Sequence, residues 1–231
     1  MLNNLSIILN IDTATETASV CLSDNDNVFA LEENSVQKEH ASFIHKAINE
    51  VMSAAGKSLK EIDAISITAG PGSYTGLRVG MSTAKGLCYV LKKPLIAINT
   101  LKVMARAAIE AFGTGHQKES KLFCPMIDAR RMEVYTALFD ASLEVVLPPC
   151  AIILNPTSFN EWLENHEVVF SGSGRGKFEK MSTHTNVIIK NISHSAAHLG
   201  YLAQIDYRNN RFADLAYVEP VYIKDFHSTQ K

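Results

Sequence analysis

The hydrophobic positions of this chain alternate between short continuous runs and runs spaced three or four residues apart, which predicts a mixed α/β fold. Runs at 7–11 and 64–68 have the length of buried strands, whereas 38–55 and about 75–90 each carry one apolar stripe and predict amphipathic helices. Further strands are predicted at 18–22, 28–33, 95–99, 121–127, 133–139, about 144–153 and 167–171. Further helices are predicted at 100–112, near 158–165 and at about 194–207.

Local signals refine the ends of these elements. Ser58 and Glu61 have the spacing of a capping box and predict a short helix. Ser193 is the predicted N-cap of the last helix. Pro220 lies inside the β-prone run 217–223, which predicts an edge strand or an irregular segment there.

Two pairs of segments look like copies of each other. IILNIDTATETASVCL at 7–22 matches LFCPMIDARRMEVYTALF at 122–139, and ISITAGPGSYTG at 65–76 matches VVFSGSGRG at 168–176. Each copy has an apolar run ending in Ile-Asp, a polar turn and a second strand, followed later by a strand that opens into a glycine loop. The duplication predicts two similar lobes, each with a mixed sheet flanked by helices, that face a cleft.

The predicted first lobe covers 1–112, and the last helix of the chain is a candidate to complete it. The predicted second, smaller lobe covers 113–231. The segment GTGHQKES at 113–120 is the most linker-like part of the sequence because it is rich in glycine and polar residues.

Composition narrows the class of protein. Of 231 residues, 46% are hydrophobic and 20% charged, as in ordinary globular proteins, and the net charge of -2 exerts no general attraction on nucleic acid. RNA contact would therefore need a local patch or a partner. The four cysteines form no CxxC pair, and neither a signal peptide nor a membrane span is evident. We expect a cytoplasmic protein without membrane contact.

The glycine loop AGPGSYTG at 69–76 has two interpretations. Backbone amides of such a loop, entering a helix, can hold an anion, although the loop is neither a Walker sequence nor a dinucleotide fingerprint. The alternative is a tight strand-to-helix connection. The candidate nucleotide-binding residues form a vestigial set, in which Asp12 would hold a metal or water and the others would donate to phosphate. These residues are Asp12, Thr13, Gly70, Gly72 and Ser73.

Other combinations of residues point less clearly to chemistry. His194 and His198 have i, i+4 spacing on a predicted helix, but no third metal ligand accompanies them. Arg130 and Arg131 are candidates to pair with Asp128 or Glu133. No sequence pattern of a peptidase is present. We assign no catalytic residue and no metal site.

The two long N-terminal helices suit either packing on their own sheet or contact with a partner. Small residues on the second helix would allow close approach of another helix. On that hypothesis, enlarging Gly80 would break the interface and leave the monomer folded. The predicted interface residues are His40, Ile44, Gly76, Arg78, Gly80 and Ala84.

Several segments together resemble the bacterial TsaB family, also called YeaZ, over nearly the whole chain. They are IDTATETASVCLS, KEHASFIHKAINEVM, ITAGPGSYTGLRVGMSTAKGL, PLIAINTL, IDARRMEVYTALF and EPVYIKD. The resemblance implies the ASKHA fold, shared by actin, sugar kinases and the Hsp70 ATPase domain. It also implies a role in adding threonylcarbamoyl to N6 of adenosine 37 in tRNAs that read ANN codons, the t6A modification.

The resemblance further implies a partner role. The catalytic paralogue TsaD carries an HxxxH metal pair where this chain has Thr100 and Met104, so the metal site is expected to be lost. The expected partners are a TsaD-like catalytic subunit, a TsaE-like ATPase, a second copy of this chain in a homodimer, and tRNA indirectly through the complex. No cofactor is expected for the isolated chain, with ATP acting in the complex. The alternative is an ATP- or metal-dependent phospho- or carbamoyl-transferase that is active on its own.

Overall fold

A computed structural model describes residues 6–25, 27–36, 40–112 and 120–224. The chain forms two compact units, of which unit 1 comprises Met1–Val103 with His194–Pro220 and unit 2 comprises Met104–Ser193 with Val221–Lys231. The division therefore falls earlier than the predicted boundary at 112, and the last helix belongs to unit 1. Most of the predicted linker, 113–119, lies outside the described residues.

The secondary structure follows the predicted order. The strands are β1 (Ile7–Asp12), β2 (Ala18–Asp24), β3 (Asn27–Asn34), β4 (Ala64–Gly70), β5 (Leu95–Asn99), β6 (Lys121–Asp128), β7 (Glu133–Phe139), β8 (Val145–Ile153), β9 (Glu167–Ser171) and β10 (Val187–Ile189). The helices are α1 (His40–Ala54), α2 (Tyr74–Leu91), α3 (Thr100–Ala111), α4 (Asn160–Leu163), α5 (Arg175–Glu179) and α6 (Ala196–Arg208). The two shortest elements after the second glycine loop, α5 and β10, were not predicted, because neither is long enough to show a period.

Each unit contains one five-stranded mixed sheet, and the two sheets have the same topology. The strand orders are β3-β2-β1-β4-β5 and, in the second sheet, β8-β7-β6-β9-β10. In each sheet the first three strands in sequence pair antiparallel, the fourth pairs parallel to the first, and the fifth pairs parallel to the fourth. The predicted duplication and the α/β fold class are confirmed.

The sheet of unit 1 is covered on both faces, which explains why β4 is buried along its whole length and β1 is buried from Ile8 onward. Leu9 and Ile11 point to the face packed by α1 and α2. The intervening Asn10 points to the other face, where Gly200 of α6 lies close to its amide. The Asn10 amide nitrogen donates to Ser23 Oγ at 2.9 Å, and Ser66 Oγ donates to Asn10 Oδ1 at 2.7 Å, so the polar groups buried beneath α6 are hydrogen-bonded.

The core of unit 2 is built on aromatic side chains. Phe159, Phe170 and Phe178 are fully buried, and their ring centroids lie 4.7–5.2 Å apart. Phe170 comes from β9, and Phe178 comes from α5. This cluster therefore anchors the short helix that follows the second glycine loop.

Two local predictions differ from the structure in detail, and a third agrees with it. Glu61 accepts hydrogen bonds from the Ser58 amide and hydroxyl, yet these residues form a turn and not a helix. The N-cap of α6 is Ser195 and not Ser193, because the extended backbone of Ser195 directs its hydroxyl to the Ala197 amide. The run 217–223 is irregular, as Pro220 predicted. Among the described residues, no helix is both long and apolar enough to cross a membrane.

Replacing Ser195 with alanine should lower the free energy of unfolding by about 1 kcal/mol, because the hydroxyl and the His198 ring satisfy amides at the start of α6. Ser193→Ala is the matched control, since Ser193 is exposed. Urea unfolding followed by circular dichroism measures both variants. Equal loss in the two variants would contradict the assignment of the cap.

Candidate functional site

Asp12, the last residue of β1, is buried inside unit 1 and its carboxylate is held from several sides. Oδ1 accepts from the Ala14 amide at 3.0 Å and from Thr68 Oγ1 at 2.8 Å. Oδ2 lies 3.3 Å from His194 Nε2. The geometry of this contact is not that of a hydrogen bond, and Oδ2 has no hydrogen-bond partner among the described residues.

The environment of Asp12 favours its charged form. Burial by itself would raise the pKa of Asp12. The interaction with His194, followed by the two hydrogen bonds to Oδ1, outweighs burial and holds the pKa below the ordinary value of 3.8. Asp12 is therefore a structural anion that ties the first hairpin turn to the segment leading into α6.

Three amides of the first glycine loop have partners within unit 1. The Gly70 amide donates to Thr100 Oγ1 at 3.1 Å, and the Ser73 amide donates to the Ala14 carbonyl at 2.7 Å. The Gly76 amide donates to Ser73 Oγ at 3.3 Å, which makes Ser73 the N-cap of α2. These three donors are used within the chain and do not point to an open anion site.

Gly72 of the loop, and Gly76 and Gly80 of α2, lie directly against the β1–β2 turn. A Cβ at Gly72 would overlap the Ala14 carbonyl, and a Cβ at Gly76 would overlap the Thr13 carbonyl. Thr13 is fully buried, and its hydroxyl donates to the Gly76 carbonyl at 2.7 Å. Close approach between two backbones therefore explains why glycine occupies these positions.

The five predicted nucleotide-binding residues do come together. Asp12 and Gly70 end the neighbouring parallel strands β1 and β4, a position where α/β proteins often bind ligands. Thr13, Gly72 and Ser73 follow them directly. The contacts described above nevertheless join this group to itself, so nucleotide binding here stays a prediction.

The two histidines at i, i+4 spacing have separate roles. His194 precedes α6 and faces Asp12, with Thr15 Oγ1 at 3.5 Å. His198 lies within α6, where its Nδ1 accepts from the Ser195 amide at 3.0 Å in a capping box. They do not form a two-ligand pair on one helix face. No group of three or more His, Cys, Asp or Glu residues with metal-binding geometry occurs in the part of the chain that is described.

Unit 2 repeats the turn with a different environment. Asp128 Oδ1 accepts from the Arg130 amide at 2.7 Å, as Asp12 accepts from Ala14, but Asp128 is exposed. Although partial burial raises its pKa, the ion pair with Lys177 at 2.7 Å and the Arg130 amide outweigh that effect and keep the pKa below 3.8. The predicted arginine pairing is wrong, because the partners are lysines, Lys177 for Asp128 and Lys224 for Glu133.

The glycine at the end of the fourth strand of each sheet also matches between the units, with Gly70 ending β4 and Gly172 following β9. Gly70 has a φ of 112° and Gly172 a φ of 87°, a region that side chains avoid. In unit 2, a Cβ at Gly172 would overlap the Met126 carbonyl and the Met104 methyl group. Met104 is thus a packing residue of unit 2, and Thr100 is a hydrogen-bond acceptor of unit 1.

Most of the predicted interface residues are not on the surface. Ile44 and Ala84 are fully buried in the core of unit 1, and Gly76 and Gly80 are buried against Thr13. The prediction that these four residues are exposed to a partner is wrong, because the apolar stripes of α1 and α2 pack on their own sheet. Arg78 is exposed and lies over the Tyr74 ring, with 4.0 Å from Cζ to the centroid. The side chain of His40 lies outside the described residues.

Sequence reasoning did not find the roles of Thr68 and His194 beside Asp12. Thr68 carries a usable signal, because it ends an apolar strand that is expected to lie next to β1. His194 carries none, because only the fold brings it to the first hairpin.

Comparison with known proteins identifies the family. The profile for TsaD, tRNA N6-adenosine threonylcarbamoyltransferase, matches residues 33–218. The chain belongs to this family. Within it, TsaB of Haemophilus influenzae, the tRNA threonylcarbamoyladenosine biosynthesis protein, is 29% identical over 97% of this chain and 95% of its own length.

The extent of each match distinguishes the branches of the family. The tRNA N6-adenosine threonylcarbamoyltransferase of Zymomonas mobilis is 32% identical, but over 42% of this chain and 31% of its own length. The structure of YeaZ from Pseudomonas aeruginosa has the same fold, with a TM-score of 0.81 and 23% identity, covering 94% of this chain and 100% of that protein. The chain is thus a TsaB (YeaZ) member of the family.

Replacing Gly80 with alanine should destabilise the fold. The added Cβ would overlap Thr13 Oγ1 and lie 3.0 Å from Ile67 Cδ1, so we expect a loss of about 1–3 kcal/mol. Gly86→Ala, on the same helix with nothing within 4 Å of the new Cβ, should instead stabilise by about 0.5–1 kcal/mol. Urea unfolding of both variants measures the difference. A neutral Gly80→Ala would show that the turn does not constrain α2.

The Asp12 interaction should make stability depend on pH. Because the pKa is lower in the folded chain than in the unfolded chain, the stabilisation is present above pH 3.8 and is lost as the pH falls through the lowered value. Asp12→Asn should cost about 3 kcal/mol at neutral pH, with the difference from wild type shrinking in acid. Denaturation between about pH 3 and 7 measures it. Glu179→Gln, at an exposed carboxylate, is the control, and a pH-independent difference would contradict the assignment.

Proposed function

We propose that this chain is a non-catalytic partner subunit of the assembly that adds threonylcarbamoyl to N6 of adenosine 37 in ANN-decoding tRNAs. Membership of the family supports involvement in t6A modification of tRNA. The partner role rests on one observation, the internal use of the glycine-loop donors by the β1–β2 turn and Thr100. The chain would act by docking to a TsaD-type catalytic subunit.

The state of the loop supports a role without a nucleotide of its own. A loop that binds phosphate needs free amides and room for the anion beside them. Here the Ser73 amide is bonded to the Ala14 carbonyl, and that same carbonyl occupies the space beside Gly72. Binding ATP at this loop would require the turn and the loop to separate. On this proposal, ATP acts in the complex through a TsaE-like ATPase and the catalytic subunit.

The residues at the former metal positions support the same role. Thr100 and Met104 stand where the catalytic paralogue has its histidine pair, and each is buried in contacts of its own unit. The Thr100 hydroxyl accepts from Gly70, and the Met104 methyl group packs beside Gly172. A hydroxyl and a thioether that already serve the fold are poor ligands for a borderline cation.

The exposed face of α2 is the surface that suits docking. Its C-terminal half presents two large apolar side chains to solvent, with Tyr89 68% and Val90 74% exposed. Arg78 and Tyr74 extend the same face toward the start of the helix. Tyrosine and arginine are typical of the residues that carry binding energy at protein interfaces. The same face would serve a homodimer when the catalytic subunit is absent.

Reconstitution tests the proposal. The purified chain, the TsaD-type subunit, the ATPase and an ANN-decoding tRNA transcript are combined with ATP and a preformed, activated threonylcarbamoyl donor. The t6A formed is measured by mass spectrometry of nucleosides. We expect modification when all proteins are present and none from this chain alone. Modified adenosine formed by this chain alone would overturn the non-catalytic role. Full activity without the chain would overturn the partner role.

The docking face is tested in the same system. Tyr89→Ala with Val90→Ala should raise the dissociation constant for the catalytic subunit at least about tenfold while leaving the chain folded, because both side chains are largely exposed. Tyr217→Ala is the control, since Tyr217 is an exposed aromatic residue outside α2. Analytical ultracentrifugation gives the affinities. Unchanged affinity of the α2 variant would remove this face from the proposal.

A further inference from the structure

The β6–β7 turn of unit 2 presents two arginines in an unusual conformation. Arg130 and Arg131 are both exposed, with φ angles of 68° and 46°. Residues with side chains are uncommon in this left-handed region, where asparagine and glycine are the usual occupants of hairpin turns. The turn is closed by hydrogen bonds from the Ala129 amide to the Glu133 carbonyl and from the Glu133 amide to the Arg130 carbonyl, both 3.1 Å.

The carboxylates next to this turn are already paired elsewhere. Asp128 binds Lys177, and Glu133 binds Lys224. Lys177 also donates to the Glu133 carbonyl at 3.0 Å, which holds it against the base of the turn. Within the described residues, neither guanidinium of the two arginines takes part in an ion pair or a side-chain hydrogen bond. The β6–β7 turn therefore presents the two positive charges of Arg130 and Arg131 to solvent.

The equivalent turn of unit 1 provides an internal comparison. There the turn after Asp12 carries Thr13 and Ala14, both fully buried against the first glycine loop. In unit 2 the glycine loop contacts the start of the turn, with Ser173 Oγ accepting from the Asp128 amide at 3.1 Å, and leaves the next residues exposed. The same position of a duplicated fold is thus a packing element in one unit and a basic surface in the other.

We propose that this basic turn, Arg130 and Arg131 with the adjacent Lys177 and Lys224, contacts the ribose–phosphate backbone of RNA. A guanidinium forms bidentate hydrogen bonds with the two free oxygens of a phosphodiester. The net charge of -2 for the whole chain makes general attraction to RNA weak, so binding depends on such a local cluster. The inference rests on the proposed function, because the modifying assembly holds a tRNA, which makes RNA the favoured partner over an acidic protein segment.

The test removes the charges without straining the turn. Arg130→Asn with Arg131→Gly places residues suited to positive φ at both positions, so the variant should fold at least as well as wild type. Lys60→Asn with Lys190→Asn removes the same charge from two exposed lysines outside the turn and serves as the control. Arg130→Lys with Arg131→Lys keeps the charge but loses the bidentate geometry.

Two measurements are made on each variant. The first is fluorescence anisotropy of labelled ANN-decoding tRNA with the isolated chain and with the assembled complex, between about 50 and 200 mM salt. The second is the KM for tRNA in the reconstituted t6A assay. We expect the Asn/Gly variant to lower the salt-dependence slope by about one per lost phosphate contact and to raise the KM about three- to tenfold with kcat unchanged. The lysine variant should keep the wild-type slope because it keeps both charges, and its KM should be intermediate. The control should match wild type in both measurements.

The outcomes separate this inference from the proposed function. Unchanged tRNA affinity and KM in the Asn/Gly variant, with t6A still formed, would overturn the RNA contact alone. Loss of binding to the catalytic subunit in that variant would assign the arginines to a protein partner and would also overturn it. If wild-type chain supports no t6A formation yet its tRNA binding falls in the Asn/Gly variant, the proposed function fails and the RNA contact stands.

Discussion

The close approach of two backbones, the β1–β2 turn and the start of α2, is the constraint on which the rest of unit 1 depends. The Thr13 hydroxyl bonds the Gly76 carbonyl at 2.7 Å, and no side chain fits at Gly72, Gly76 or Gly80 without displacing the turn. This contact fixes how α2 leaves β4. It also determines which faces of α2 are buried and therefore which face a partner can reach.

The same contact distinguishes between the two interpretations of the first glycine loop, an anion site or a tight strand-to-helix connection, which the sequence alone left open. In unit 1 the Ser73 amide of the loop donates to the Ala14 carbonyl of the turn, and Asp12 is held by Thr68 and His194. In unit 2 the glycine loop contacts the turn through Ser173, which bonds the Asp128 amide, and the two arginines that follow are exposed. The two units thus share one framework. The residues beside each glycine loop determine whether the turn belongs to the core, as in unit 1, or to the surface, as in unit 2.

Much of the fold was predictable because burial leaves a periodic trace. The continuous apolar runs of β1 and β4 and the helical spacing of apolar residues in α2 predicted their spans closely, and the repeated Ile-Asp turns predicted two matching sheets. The periodicity does not show which residues the buried faces contact. Small residues at Gly76 and Gly80 suggested a second protein, whereas the surface they meet is Thr13 of the same chain. His194 next to Asp12, and Ser195 in place of Ser193 as the cap, depend on contacts and backbone angles that have no local signal.

The discontinuity of unit 1 has a consequence for synthesis on the ribosome. Asn10 and Ser66 are covered by α6, and the Ser6 backbone carbonyl accepts from the Gln204 amide nitrogen at 2.8 Å. A nascent chain that has produced the first five strands leaves this polar sheet face open to water until α6 emerges. The strands of the second sheet, β6 to β10, lie between β5 and α6 in the sequence and are therefore synthesised before α6. Translation therefore supplies the helix that covers this face of unit 1 only after the whole second sheet has been synthesised.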